Sequence, residues 1–441
     1  MDKPNISTMN NTQLQVWKFG GASISNPDLV ENVGSIVKNY LKTNAVIVTS
    51  AKGKTTNALE TLVKAYMSES DEANKILEEI KQDHFQYAQA LCGVGHPILN
   101  ELNDLFVEIE WILEDPVIDP YDYVYDQIVS IGELASTKVV SQYLVDQGIK
   151  ANWLDIRDVI LTDNRHREAR VDWEITQTRS NKIKTLLESY DVIVTQGYIA
   201  SSSENFTTTL GREGSDYTAA ILSYCLDADS MHIWKDVPGI LTGDPRLFKE
   251  VMKIDRLSYK EAVEMTYYGA KVIHEKTIKP LQNKNIPLFV RPFYTPEKDG
   301  TLISAEDPIG YPPVIVVNAD QVLLHISTND FSFVGEHHLG DLFTLFAKHR
   351  IRVNMMRNTA ISFTVCTNNR PGRIKAFEAE LGDKYTLQKD SDLKLMTIRH
   401  YTEEVVKSFT KGKLILFQER LKNTVHVVVK ELVEYELKEG K

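Results

Sequence analysis

Basic charge is the first thing in short supply. Lys and Arg number 50 against 61 Asp and Glu, a formal net charge of -11. A nucleic-acid footprint needs clustered cations on a basic face, so no nucleic-acid partner is expected. Long apolar runs are also missing: none approaches the roughly 18 residues of a membrane span, and no membrane partner is expected. Cysteine is scarce. Cys92, Cys225 and Cys366 stand far apart without a CxxC pair, which argues against a disulfide framework or a structural zinc and fits a reducing cytoplasm. Met1 to Gln15 is polar and lacks the apolar stretch of a signal peptide; residues 1–14 read as a flexible leader. Gly53-Lys54-Thr55 falls short of a P-loop, because Val48 stands where the pattern needs its first glycine. His274-Glu275 lacks the second histidine of a zinc helix and reads as structural. Glu336-His337-His338 has no partner at ligand spacing and reads as a surface loop. No metal site built from protein side chains is expected.

What is present is ordinary globular composition, 42% hydrophobic and 25% charged over 441 residues. That length exceeds one core and implies a large domain with one or two smaller ones. Strand-like Val16–Phe19, Ala45–Thr49, Val192–Thr195 and Met231–Trp234 alternate with helical patterns. The helices are expected at about 27–40, 56–113, 123–145, 215–226, 258–268 and 272–283. This alternation predicts an α/β domain over residues 15–305 with an open, mainly parallel sheet between helices. A turn-rich linker from Glu306 to Pro313 follows. Residues 314–441 then read as two small α+β units in tandem, about 314–385 and 386–441, with interleaving of the two left open. Strands are expected at Val314–Val317, Val322–Ile326, Ile361–Thr364, Lys394–Ile398, Leu414–Phe417 and Val425–Val429, with helices at Leu339–His349 and Thr402–Phe409.

The chemistry-bearing residues sit at the ends of these elements. Lys18 precedes Gly20-Gly21 between a strand and a helix opened by Asn26-Pro27; glycines there let backbone N–H groups approach a phosphate. Ser50 to Asn57 is hydroxyl-rich and lies at a strand's carboxyl end, where open α/β sheets bind ligands. Thr207 to Asp216 gathers hydroxyls, glycines, Arg212 and a carboxylate at a helix start. Arg212 can hold a carboxylate bidentately, although a solvated turn capped by Ser215 or Asp216 reads equally well. Lys235-Asp236 and Gly243-Asp244-Pro245-Arg246 follow a strand, and Gly269-Ala270-Lys271 lies at a helix junction.

Taken in order, the segments Lys18–Ser23, Ser130–Thr137, Thr208–Ala220, Ile233–Arg246 and Ser258–Thr277 resemble five motifs of the aspartokinases, within the amino-acid kinase fold. The resemblance runs from Val16 to about Ile303. It implies transfer of the γ-phosphoryl group of ATP, with Mg²⁺, to the β-carboxylate of L-aspartate, the first step toward lysine, threonine and methionine. Lys18 and Asp216 would be catalytic. Substrate would be held by Ser50, Thr56, Glu133 (at the α-ammonium), Arg212 (at the α-carboxylate), Glu213, Gly214 and Ser215. ATP would meet Lys18, Gly20, Gly21, Ser23, Lys235, Asp236, Leu241, Arg246, Lys271 and Val272. The C-terminal units resemble ferredoxin-like ACT domains, implying a homodimer and an end-product amino-acid effector near Asn354, Asn358 and Thr359. Lysine-sensing members carry acidic groups in this region, whereas Asn354 and Ala360 are neutral. Three positions depart from the family pattern: Ala22 for threonine, Glu213 for glycine and Glu275 for proline. The alternatives are a catalytically silent ACT-domain sensor and a related kinase using another carboxylate substrate.

Overall fold

The computed structural model describes residues 13–270, 273–330 and 332–431. Two compact units emerge. One is Met1–Ile240 with Lys253–Val263 and Val272–Pro308; the other is Leu241–Met252 with Glu264–Lys271 and Ile309–Lys441.

The first unit is built on an eight-stranded sheet. Its spatial order is Arg256–Ser258, Thr301–Ser304, Leu288–Pro292, Ser230–Lys235, Leu14–Phe19, Asn44–Thr49, Val192–Gln196 and Ala151–Leu154. The last six pair in parallel; only Thr301–Ser304 against Leu288–Pro292 is antiparallel. The open, mainly parallel sheet expected from the sequence is therefore present. The central strands read as unbroken apolar runs because both faces are covered: Val192–Gln196 is wholly buried. The first strand begins at Leu14, earlier than its apolar pattern suggested, because Leu14 and Gln15 already pair with Asn44 and Ala45; the Leu14 N–H also donates to Asp229 at 2.8 Å.

The helical stretch expected over residues 56–113 is three helices, Thr55–Met67, Ala73–Cys92 and Ile98–Glu114. Helix Tyr121–Asp146 packs against the Ala151–Leu154 end of the sheet, and Gly214–Leu226 against its centre. Short elements escaped the sequence pattern. They are the helices Trp173–Arg179 and Asn181–Leu187 and the three-stranded sheet of Leu161–Thr162, Ile199–Ser202 and Thr207–Thr209.

The second unit carries one six-stranded antiparallel sheet. The separate strands expected at 314–317 and 322–326 are one strand, Val314–Thr328, bulged near Asn318–Leu323. It pairs along its length with Tyr385–Arg399, so each long strand serves both halves of the sheet. Helices Glu336–Lys348 and Pro371–Leu381 cover one end around Phe346, Phe363 and Phe377. Helix Glu403–Thr410 covers the other around Ile398, Val406 and Val427. Glu336-His337-His338, expected as a loop, forms the first turn of its helix; an acidic residue there suits the helix dipole.

Candidate active site

Strand Leu14–Phe19 lies between Asn44–Thr49 and Ser230–Lys235, with Lys18 level with Val48 and Ile233. Parallel pairing brings the carboxyl ends of all three strands to one edge. The helix Gly214–Leu226 starts at that same edge and places Asp216 in its first turn. The Lys18 ammonium lies 2.6 Å from Asp216 Oδ1, and Lys235 Nζ lies 3.9 Å from Oδ2. Burial pushes the Asp216 carboxyl up, but the two lysines outweigh it and hold the group below the ordinary carboxylate range. The result is a buried anion that fixes two cations side by side.

The glycines shape a backbone cradle beside this triad. Gly20 opens a tight turn, its carbonyl accepting from the Ser23 N–H at 2.9 Å, and Asn26 caps the helix Pro27–Tyr40 through the Leu29 N–H. Gly21 lets two loops touch: its carbonyl accepts from the Gly53 N–H at 2.9 Å, and a Cβ on it would stand 2.4 Å from the Ala51 carbonyl oxygen. Ser23 is buried in this turn.

On the other side Ser50 Oγ donates to Ser215 Oγ at 2.9 Å, joining the hydroxyl loop to the helix start. Thr56 is half-buried in the first turn of Thr55–Met67. Glu133 is buried in the middle of Tyr121–Asp146, and the Ala51 N–H donates to its carboxylate. Its Oε2 has no hydrogen-bond partner among the described residues. Burial pushes its pKa up to about 8, against the opposing pull of the Ala51 amide and Lys18. A buried carboxyl with an unused oxygen is a socket for a cation.

Arg212 and Glu213 are exposed on the turn ahead of Gly214, and among the described residues they form no ion pair with each other. Glu213 has φ 55° and ψ 28°, a left-handed conformation that suits the family's glycine better than glutamate. Asp236 follows Lys235 and is exposed. Leu241 and Arg246 belong to the second unit, where Arg246 forks onto Asp244 at 2.6–3.2 Å. Lys271 and Val272 lie outside the described residues. Glu275, at the proline position, is the first residue of helix Glu275–Asn283, where negative charge meets the positive end of the helix.

In the second unit, the expected effector residues fall into separate hydrogen-bond groups. Asn354 donates to Gln321 at 2.8 Å and to Asn368 at 3.1 Å. Asn358 donates to the Val334 carbonyl, and Thr359 bonds Ser362.

Asp126 went unnoticed in the sequence. Wholly buried, it accepts from Thr209 Oγ1 at 2.7 Å, from the Thr209 N–H at 3.1 Å and from the Arg167 N–H at 3.0 Å, and it meets His166 Nδ1 at 3.0 Å. It pins the strand that leads into Arg212. The available signal was a carboxylate inside the apolar stripe of Val124, Tyr125, Ile128 and Val129.

No group of three or more His, Cys, Asp or Glu among the described residues could hold a metal, and no described helix is long and apolar enough to cross a membrane. A kinase metal need not have such a cage: Mg²⁺ commonly keeps waters and binds through substrate phosphates.

The chain is similar over residues 13–292 to the Amino acid kinase family. It is 32% identical over 356 residues to the lysine-sensitive aspartokinase 3 of Escherichia coli (strain K12), covering 80% of this chain and 77% of that one. Against a bifunctional aspartokinase/homoserine dehydrogenase 2 of Arabidopsis thaliana it is 31% identical over 65% of its own length, but spans only 32% of that relative. The crystal structure of E. coli aspartokinase III with aspartate and ADP superposes with a TM-score of 0.80 at 27% identity, covering 95% of this chain and 96% of that one. Paired lysines on a buried aspartate, a glycine cradle and this likeness along most of the chain converge: it belongs to the amino acid kinase family and, within it, to the aspartokinases, kinases that phosphorylate a carboxyl group of aspartate.

Proposed function

We propose that Lys18 and Lys235, held by Asp216, neutralise the phosphoryl group as it passes from ATP to the β-carboxylate of L-aspartate. The nucleophile has an ordinary pKa of about 3.9 and is already ionised, so no general base is required. The barrier is the approach of one anion to another, and fixed cations lower it without reorganising. Backbone N–H groups around Gly20, Gly21 and Ser23 would cradle the phosphates. Asp236 would extend the nucleotide site beyond Lys235. Mg²⁺ held by the substrate phosphates would supply further neutralising charge there.

Glu133 would take the α-ammonium of aspartate and Arg212 its α-carboxylate. Ser50, Thr56, Glu213, Gly214 and Ser215 would line the substrate. The single observation that carries this assignment is the shared edge where Lys18, Asp216 and Lys235 meet, with Lys18 also close enough to Glu133 to pull on its pKa.

Residues 15–305 would form the catalytic domain, and 314–441 a regulatory pair of ACT-like units that joins two chains into a cytoplasmic homodimer. An end-product amino acid is the proposed effector. The E. coli relative is lysine-sensitive by name, yet Asn354, Asn358 and Thr359 offer no carboxylate for a lysine ammonium, which favours an effector with an uncharged side chain.

The decisive assay traps the acyl phosphate with hydroxylamine. Hydroxamate should form with ATP, Mg²⁺ and L-aspartate, and only weakly with L-glutamate. Equal yields from both would overturn the substrate assignment, and no hydroxamate at all would leave the silent-sensor alternative.

A further inference from the structure

Behind the helix that carries Asp216, the first unit holds a cavity of about 600 Å³. Among the described residues, none of those given to aspartate or ATP above lines it. Four cationic side chains do, Arg165, Arg170, Lys276 and Lys279, with Glu168 as the one carboxylate. Nearby cations are matched: Arg167 pairs with Asp122 and Lys284 with Asp227. The four in the cavity are not; among the described residues none of them enters an ion pair. All four are exposed to solvent, and set against the one carboxylate of Glu168 they leave the cavity rim positive on a chain of net charge -11.

The wall between them is aromatic. Trp173 meets Tyr224 edge-on at 5.2 Å and Tyr217 at 6.5 Å, and buried Ala169 and Pro280 add apolar surface. Flat apolar walls with a cationic rim, in a volume typical of small-molecule sites, define a ligand chemistry.

We propose that this cavity binds a small organic anion with a flat ring and at least two negative charges, and that its occupancy is felt at the active site. Two links carry the coupling. Tyr217 follows Asp216 on the same helix, so one turn faces the phosphoryl site through its carboxylate and this cavity through its ring. The cavity-lining segment 165–171 also lies on the strand leading to Arg212: the Ala169 N–H donates to the Thr209 carbonyl at 2.9 Å. Glu168 Cγ would lie 3.1 Å from a Cβ placed on Gly211. Binding itself depends only on the cavity; the effect on aspartate rests on the role proposed for Arg212, and the two are measured separately.

The probe is 8-hydroxypyrene-1,3,6-trisulfonate, a fluorescent ring with sulfonate charges, titrated into the full chain with ADP and Mg²⁺ saturating the nucleotide site. The variant Arg165→Gln/Arg170→Gln/Lys276→Gln/Lys279→Gln should bind it at least about tenfold more weakly and with a shallower salt dependence. Lys182→Gln/Lys184→Gln, outside the cavity, should bind it as the parent does. Without probe, the quadruple variant should keep the parent's circular dichroism and turnover. Equal probe affinity in parent and quadruple variant, or no saturable binding to the parent, overturns the site. Inorganic tripolyphosphate binding as tightly as the probe overturns the ring requirement. Saturable binding that leaves the KM for aspartate unchanged overturns the coupling alone.

Discussion

Lowering the pH should weaken aspartate binding steeply, and Glu133 should be the reason. The group is buried with one oxygen unpartnered among the described residues, and its pKa is pushed up to about 8. In the empty enzyme at neutral pH it is therefore mostly protonated, while an ammonium-bearing substrate needs it ionised. The apparent KM then scales as one plus the ratio of protonated to ionised Glu133. With a pKa of about 8, KM should rise roughly 25-fold between about pH 8.5 and about pH 6.5, approaching tenfold per unit at the acid end. Binding at about pH 7 should release close to one proton, countable by calorimetry in buffers of different ionisation enthalpy. Turnover at saturating aspartate should move far less. Glu133→Gln should bind aspartate weakly at every pH, with a flat KM profile and no proton release.

The same group sets a stability trend. Its folded pKa lies above its unfolded value, so its contribution is fully present below about pH 4.5 and lost as pH rises through about 8. The aspartate-free enzyme should melt lower at about pH 9 than at about pH 6, and Glu133→Gln should lessen that drop. A parent KM that stays level across this range, with a Glu133→Gln profile parallel to it, would refute the assignment.

Three further substitutions test the rest of the site. Lys18→Ala should lower turnover by about 10²–10³ while shifting ATP affinity much less, since the loss falls on developing charge; near-parental turnover would remove Lys18 from the reaction. Gly21→Ala should all but abolish activity, because its Cβ would stand 2.4 Å from the Ala51 carbonyl and force the cradle loops apart; an active, stable variant would show that this contact is dispensable. Glu213→Gly should raise unfolding stability by up to about 1 kcal/mol in denaturant titration, relieving a left-handed glutamate against the added freedom of the unfolded chain; a loss would mean that the Glu213 side chain makes a stabilising contact.

Much of the architecture was legible because it is written locally. Apolar runs marked the parallel strands, Asn26-Pro27 marked a helix start, and the Gly20-Gly21 pair marked a tight turn at a strand end. Glu213 at a position where the resembled family carries glycine marked the turn that proves left-handed. The short helices at 173–187 and the strands at 199–202 and 207–209 were not legible, since each is too brief for a periodic signal and is held by its neighbours. Asp126 was hidden because its three partner residues, His166, Arg167 and Thr209, lie 40 or more residues away along the chain.

The sequence by itself determined which side chains and glycines were available and which elements would carry them, because those choices follow from nearest-neighbour sterics and apolar spacing. Only the tertiary structure decided that Lys18 and Lys235 share Asp216, that a Glu133 oxygen has no partner among the described residues, and that two long strands run through both halves of one sheet. Ion pairing, desolvation and strand register all depend on residues far apart in the chain, and those distances exist only once it has folded.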